Sequence, residues 1–374
     1  MQYHLSCTRC NRRFHIDAPL WKCSSCGGTL EVVSEDIAKG DFDSFIDKGM
    51  RGLWRYRKLI PLPNDPVTLG EGGTPTVMRK EPKTELCLKL EYISPTGAFK
   101  DRGASVSVTR AKGAGAKYVV EDSTGNAGIA AAAYSAKAGI KARIYVPSDA
   151  PRVKKMLISA FGAEVVECSS RDEAAARSKS ELKMGEVYIG HMWDPFYIEG
   201  MKTIAYEVYE NSYRVDSVVV PVASGTILLG IYGGFRFLES LGLVDNFPSI
   251  YAVQGEGCAP LYEALHGRIA SSRSSRLADG RRIKDPPRKD EILKAIRETG
   301  GDVFMVSDEE IAPAMKELYR MGIMAEPTSA TVYAAFRKNE NELKGRVLMP
   351  ITGTGMKNTD SLAAVFGKIG LSHR

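Results

Sequence analysis

Short β-branched apolar runs alternate with longer amphipathic stretches along most of this chain. Runs at 117–121 (KYVVE), 142–146 (ARIYV), 164–167, 187–190, 217–222 (SVVVPV), 250–254, 303–306 and 346–351 predict strands. Between them, alanine-rich 127–138, charged 171–184 and 227–241, with apolar residues at helical spacing, predict helices. Strands apolar on both faces and separated by helices form a parallel sheet covered on both sides, so the pattern predicts a doubly wound α/β fold. The first 33 residues do not follow this alternation, and residues 34–50 (SEDIAKGDFDSFIDKGM) are polar and read as a linker.

At 374 residues the chain is long enough for two or three domains, and 44% apolar with 26% charged residues is ordinary globular composition. No run reaches the roughly 18 apolar residues of a membrane span, and the opening MQYHLSCTRC lacks the apolar segment of a secretory signal. A soluble, cytoplasmic protein is expected. The net charge of +6, from 51 basic and 45 acidic residues, gives no case for nucleic acid. Eight basic residues (Arg268, Arg273, Arg276, Arg281, Arg282, Lys284, Arg288, Lys289) stand against Asp279 and Asp285 in one segment. That segment reads as a solvated loop, or as a loop that gathers anions.

Four of the seven cysteines fall in the first 26 residues: Cys7, Cys10, Cys23 and Cys26, two C-x2-C pairs twelve residues apart. Two such knuckles can place four thiolates around one zinc ion in a closed structural site. Phe14, Trp21 and Leu30 are placed to cover it in a ribbon too short for a core of its own. Two disulfides are disfavoured in a cytoplasmic chain, and iron is the competing metal. Cys87, Cys168 and Cys258 read as buried core thiols.

In open α/β sheets ligands bind beyond the carboxyl ends of the strands. Three loops there combine glycine with small polar residues: Ser123-Thr124-Gly125-Asn126-Ala127-Gly128, Ala223-Ser224-Gly225-Thr226-Ile227 and Thr352-Gly353-Thr354-Gly355. A strand, a tight polar turn and a helix N-terminus supply free amides and a positive dipole end, which suit an anion; each loop alone reads equally well as a helix cap. The second loop is neither a Walker A sequence nor G-x-G-x-x-G, so dinucleotide binding gains no support. A fourth segment, 94–103 (SPTGAFKDRG), holds Lys100 beside Phe99 near a helix start; alone it reads as a surface cation, although the dipole and Arg102 would disfavour the ammonium, as a Schiff-base amine requires.

Taken together and in this order, the four segments closely resemble the signature of pyridoxal-phosphate enzymes of fold type II, the tryptophan-synthase-β superfamily, and within it the threonine synthases. The resemblance extends over LGEGGTP (69–75), PTGAFKDRG (95–103), STGNAG (123–128), EGMKTIAYE (199–207), VQGEGCAP (253–260), EPTSA (326–330) and TGTGMK (352–357). It implies two doubly wound α/β lobes with the cofactor in the cleft, preceded by the zinc ribbon. The implied boundaries are ribbon 1–33, linker 34–50 and catalytic region 51–374, with a small lobe at about 89–199 and a large lobe of 51–88 plus 200–374.

The resemblance also implies roles. Lys100 would hold pyridoxal 5'-phosphate through its amine and later move protons, with Phe99 beside it. Asn126 would meet the ring hydroxyl, Ala223, Ser224, Gly225, Thr226 and Ile227 the cofactor phosphate, and Thr352 the pyridine nitrogen. Ser123 and Thr124 would face the substrate carboxylate. The implied reaction converts O-phospho-L-homoserine and water to L-threonine and phosphate, and the implied assembly is a homodimer.

Two departures concern the substrate. Ala127 stands where many threonine synthases have a second hydroxyl or amide, and 190–197 (GHMWDPFY) lacks the arginine that many offer the substrate phosphate. Some other cation must serve a dianion, and the 268–289 segment is one source. The alternative is β-replacement or β-elimination on serine, threonine or O-phosphoserine, a dehydratase-like or cysteate-synthase-like activity favoured by Trp193, Phe196 and Tyr197. A third reading, a nucleic-acid-binding zinc-ribbon protein with an inactive catalytic fold, has only the ribbon and the charge behind it. Glu71, Glu256 and Glu326 read as caps or ion-pair members in place of acid–base groups.

Overall fold

The computed structural model describes residues 2–35, 41–63, 65–123, 125–267, 277 and 283–367. In chain order the elements are β1 (Tyr3–Cys7), β2 (Arg13–His15), β3 (Leu30–Ser34), β4 (Thr76–Lys80), β5 (Glu85–Lys89), α1 (Lys100–Gly113), β6 (Tyr118–Glu121) and α2 (Asn126–Ala138). There follow β7 (Lys141–Pro147), α3 (Arg152–Ala160), β8 (Glu164–Cys168), α4 (Arg171–Ser180), β9 (Glu186–Tyr188), α5 (Pro195–Glu210), β10 (Ser217–Pro221) and α6 (Thr226–Ser240). The last are β11 (Ser249–Gly255), α7 (Pro260–His266), α8 (Lys289–Glu298), β12 (Val303–Val306), α9 (Asp308–Arg320), α10 (Pro327–Asn339), β13 (Arg346–Pro350) and α11 (Thr359–Phe366). The eight expected strands form as β6 to β13, and the expected helices are α2, α4 and α6.

The chain folds as two compact units, residues 1–74 with 94–213 and 224–247, and residues 75–93 with 214–223 and 248–374. The second unit is built on a six-stranded sheet in the order β12-β11-β10-β13-β5-β4, parallel except for the edge strand β4. Its core joins Leu86, Val219, Val253, Val347 and Met349 of the strands to Ile311, Leu318, Val332 and Phe336 of α9 and α10.

The first unit contains a parallel sheet, β8-β7-β6-β9, and a small antiparallel sheet, β2-β1-β3. Alanines 130–133 of α2 are buried in the core with Val119, Ile144 and Met201. Helices α1 and α5 escape a periodicity search for one reason: they are buried on nearly every side and have no apolar stripe to read. They cross closely because Gly200 is bare; a Cβ there would overlap the carbonyl of Arg102.

The cysteine ribbon is part of this first unit. Leu5, Cys7, Cys23, Leu30 and Val32 share one buried cluster with Leu53, Trp54, Val106 and Phe196. Arg110 of α1 donates to the Ala18 carbonyl (2.6 Å) and lies 4.3 Å over the Phe196 ring. Trp21 does not stay with the ribbon core: it makes edge contacts with Tyr188 and Trp193 at 5.2 and 5.3 Å. Within 34–50, whose composition is polar, Phe42, Phe45 and Ile46 are buried.

A single ion pair ties these helices to the turn at 70–75. Arg102, fully buried on α1, donates Nη1 to Glu207 Oε1 (2.6 Å) and Nη2 to Oε2 (2.8 Å) on α5, and also meets Thr203 and Thr74. Glu207 Oε1 accepts the Gly73 amide as well, at 2.7 Å. Paired charges of this kind are costly to split, because removal of one partner leaves the other buried and uncompensated. Arg102→Met should therefore lower unfolding stability by about 3–5 kcal/mol, and Arg102→Met with Glu207→Met by clearly less. Urea titration of the single and double variants measures this; equal losses would show that the charge pairing is not the source.

Candidate active site

Lys100 is the first residue of α1, and Phe99 occupies the cap position without a side-chain capping bond. The turn before it is held by Asp101, whose carboxylate accepts the Thr96 amide at 2.7 Å and the Thr96 hydroxyl. The Lys100 Nζ lies 4.7 Å from the Phe99 ring centre and 5.7 Å from that of Tyr197, and the Tyr197 hydroxyl donates to the Lys100 carbonyl at 2.8 Å. Arg102 is not the second positive charge expected here. Two residues along a helix turn through roughly 200°, and its guanidinium is paired with Glu207.

Two groups that the sequence did not single out neighbour this lysine. Glu121, at the end of β6, accepts the His191 amide (3.1 Å) and pairs with His191 Nδ1 (2.9 Å), both side chains being buried. Burial pushes the Glu121 carboxyl up to about 8, against the pull of the Lys100 ammonium. Burial and then the same Lys100 charge push His191 well below the usual imidazole value. Both shifts favour the uncharged forms, a protonated carboxyl beside a neutral imidazole. Next to it Asp122 accepts from the Tyr188 hydroxyl at 2.5 Å, with Lys179 3.9 Å away.

The three glycine-containing loops follow the carboxyl ends of β6, β10 and β13. In the first unit, the buried Ser123 hydroxyl accepts the Gly125 amide (3.3 Å), and α2 begins at Asn126 with no side-chain cap. Thr124 lies outside the described residues. Ser224 and Thr226 are buried with their hydroxyls 3.3 Å apart, and between them Gly225 sits at φ 79°, a left-handed conformation open to glycine, at the uncapped start of α6. Ile227 is buried within α6, and half-buried Ala223 ends the 214–223 stretch of the second unit.

In the second unit Thr352 is buried and its hydroxyl lies 2.9 Å from that of Ser329 on α10. Ser329 also accepts the Gly353 amide at 2.8 Å, so it sets the shape of this loop. It stands in the EPTSA run without a role that its residue type alone discloses. Glu326, nearby, accepts from the Asn358 side chain at 3.0 Å. In the first unit Glu71 is saturated: it accepts from Trp54, Thr68, the Leu69 amide and Tyr134. That is a structural role.

The ribbon brings Cys7, Cys10, Cys23 and Cys26 together with all four sulfurs within 4.8 Å of one another. Sulfur separations of 3.5 Å (Cys7–Cys26) and 3.7 Å (Cys10–Cys23) fit the edge of about 3.8 Å expected for tetrahedral zinc thiolate bonds. Cys87 and Cys168 are buried as expected, whereas Cys258 is half-buried. No helix among the described residues is long and apolar enough to cross a membrane.

Residues 67–353 match the sequence profile of the family described as "Pyridoxal-phosphate dependent enzyme". The chain belongs to this family. It is 34% identical to the threonine synthase of Methanosarcina acetivorans over 90% of this chain and 86% of that protein. It is equally similar, at 34%, to the threonine synthase of Methanocaldococcus jannaschii over 95% and 93% of the two chains. Among solved structures, maize serine racemase superposes with a TM-score of 0.63 at 25% identity, over 78% of this chain and 92% of that one.

Membership makes the chain a pyridoxal-phosphate-dependent lyase of the fold anticipated from its motifs. Its residues fit that cofactor: a lysine at a helix start, an uncapped α6 N-terminus flanked by two buried hydroxyls for a phosphate, and a buried neutral hydroxyl pair at Thr352. The aromatic residues of 190–197 are all engaged in packing. Trp193 meets Trp21, Phe196 lies in the ribbon cluster, and Tyr197 lies beside Lys100.

The buried Glu121 has a pH consequence. Its folded value of about 8 lies above the ordinary 4.5, so between these limits the unfolded chain releases a proton that the folded chain keeps. Its contribution is full below about 4.5 and is lost as pH rises through about 8. Glu121→Gln, cofactor-loaded like the unaltered protein, should lose less stability between pH 5.5 and 8.5 when unfolded in urea. Parallel pH profiles would contradict the assignment of a protonated carboxyl.

Proposed function

We propose that this chain is a threonine synthase, converting O-phospho-L-homoserine and water to L-threonine and phosphate by β,γ-replacement. The observation that carries the reading is the similarity to two archaeal threonine synthases across nine-tenths or more of the chain. Bound pyridoxal phosphate supplies an electron sink for charge that develops at the substrate carbons.

The chain's own residues supply the rest. Lys100 would anchor the cofactor through its amine and, once freed, take the α proton and then a β proton of the substrate; phosphate leaves Cγ, which takes up a proton, water adds its hydroxyl at Cβ, and Lys100 returns a proton to Cα, so that one flexible amine serves as base and acid. Phe99 and Tyr197 wall its side chain. Asn126 meets the ring hydroxyl, and the 223–227 loop holds the cofactor phosphate through amides and the Ser224 and Thr226 hydroxyls. Thr352, positioned by Ser329, faces the pyridine nitrogen as a neutral group. Ser123 and Thr124 receive the substrate carboxylate. The same resemblance supports a homodimer that works in the cytoplasm.

Zinc is the metal proposed for Cys7, Cys10, Cys23 and Cys26. Four thiolates leave it no open position, so it holds the ribbon and takes no part in the reaction.

Product analysis after mixing cofactor-loaded protein with O-phospho-L-homoserine tests the activity: phosphate and threonine should appear together. Phosphate with a keto acid, or turnover of serine or O-phosphoserine alone, would replace threonine synthase by an elimination or β-replacement enzyme. Lys100→Ala should abolish turnover and the visible absorbance of lysine-bound cofactor while the fold persists; colour retained through another lysine would overturn the assignment of Lys100. Elemental analysis should find one zinc per chain, and Cys10→Ser should lose it and unfold at a lower temperature. Iron in its place would overturn zinc.

A further inference from the structure

Resting on the threonine synthase reading, we propose that Lys154 is the cation that receives the phosphate group of the substrate. A dianion needs positive partners, and the 190–197 segment offers none. His191 is bound to Glu121, Asp194 caps α5 through the Phe196 amide, and Tyr197 is committed to the Lys100 carbonyl. Several cations of the first unit already face acids: Arg102 meets Glu207, Lys155 Glu167, Lys179 Asp122 and Lys202 Glu199.

Lys154 is different. It is only 7% exposed, yet among the described residues its ammonium has no hydrogen-bond or ion-pair partner. With Ile158 it forms the buried face of α3, one turn apart on the same side of the helix. That face meets the start of α2 because Gly128 is bare: a Cβ there would crowd the Ser123 carbonyl and lie 3.3 Å from Ile158 Cδ1. The packing brings the Lys154 Nζ to 3.9 Å from where a Cβ on Gly125 would stand.

The ammonium of a largely buried lysine and the uncapped amides of α2 thus converge beside the STGNAG loop, and both are positive. Two positive groups with no acid between them favour an entering anion. Phosphate fits better than a carboxylate, since it brings up to two charges and three acceptor oxygens for an ammonium and several amides.

The test uses cofactor-loaded protein and two probes, inorganic phosphate and L-threonine, which has the carboxylate but no phosphate, each titrated by calorimetry. Lys154→Met should weaken phosphate binding roughly 10–100-fold and leave L-threonine binding unchanged, while Lys154→Arg retains most of the phosphate affinity. Equal loss for both probes would move Lys154 to the carboxylate, and no loss for either would remove it from the site; both overturn the proposal. If Lys154→Met loses the visible absorbance of bound cofactor, reductive methylation of the unaltered holoenzyme decides. Protection of Lys154 by phosphate supports the proposal and lack of protection overturns it. Turnover is read separately: failure of the threonine synthase reading shows as no threonine from the unaltered enzyme, whereas failure here shows as phosphate binding indifferent to Lys154.

Discussion

The contact between Arg102 and Glu207 decides where Lys100 stands. Arg102 is two residues beyond it on α1, and the carboxylate that holds the guanidinium also takes the Gly73 amide. The start of α1, the body of α5 and the glycine turn at 70–75 are therefore fixed to one another through a single side chain. Charges buried with all their hydrogen bonds made tolerate few alternative arrangements. The Tyr197 hydroxyl on the Lys100 carbonyl adds a second brace from α5. The backbone of the lysine is thereby held from two sides, which is what an amine proposed to serve several steps from one place requires.

Much of this is legible in the sequence alone. Strands of a parallel sheet are apolar on both faces, and that signal located β6 to β13 and the loops beyond them. The functional motifs were readable because each sits at a strand end or helix start, where glycine and small polar residues have few competing explanations. Helices α1 and α5 were not readable by period, since burial on every side erases an amphipathic stripe. Arg102 departs from the expectation because nearness in sequence is not nearness of charge: the helical turn sends it the other way, to Glu207.

Residues brought together only by tertiary pairing were the least visible. Glu121 and His191 are 70 positions apart, and they meet because β6 pairs β9 with Val120 opposite Tyr188. Nothing in either local sequence marks them. Ser329 reaches Thr352 from a different element, 23 positions away. Lys154 looks like any lysine of a surface helix until the packing of α3 against α2 shows which face it is on.

The ribbon's buried cluster has a consequence for how such a chain changes over generations. A metal-binding appendage joined by a free linker could be dropped by a single truncation and the remaining enzyme would be none the worse. Here Cys7, Cys23 and Leu30 lie in the same apolar cluster as Trp54, Val106 and Phe196, so deletion would uncover those side chains, each large apolar one costing on the order of 1.5–3 kcal/mol when exposed. A lineage could discard the ribbon only after repainting the surface beneath it with polar residues, several substitutions that bring no advantage while the ribbon is still present. The ribbon is in this way held to the chain by its packing as well as by its thiolates.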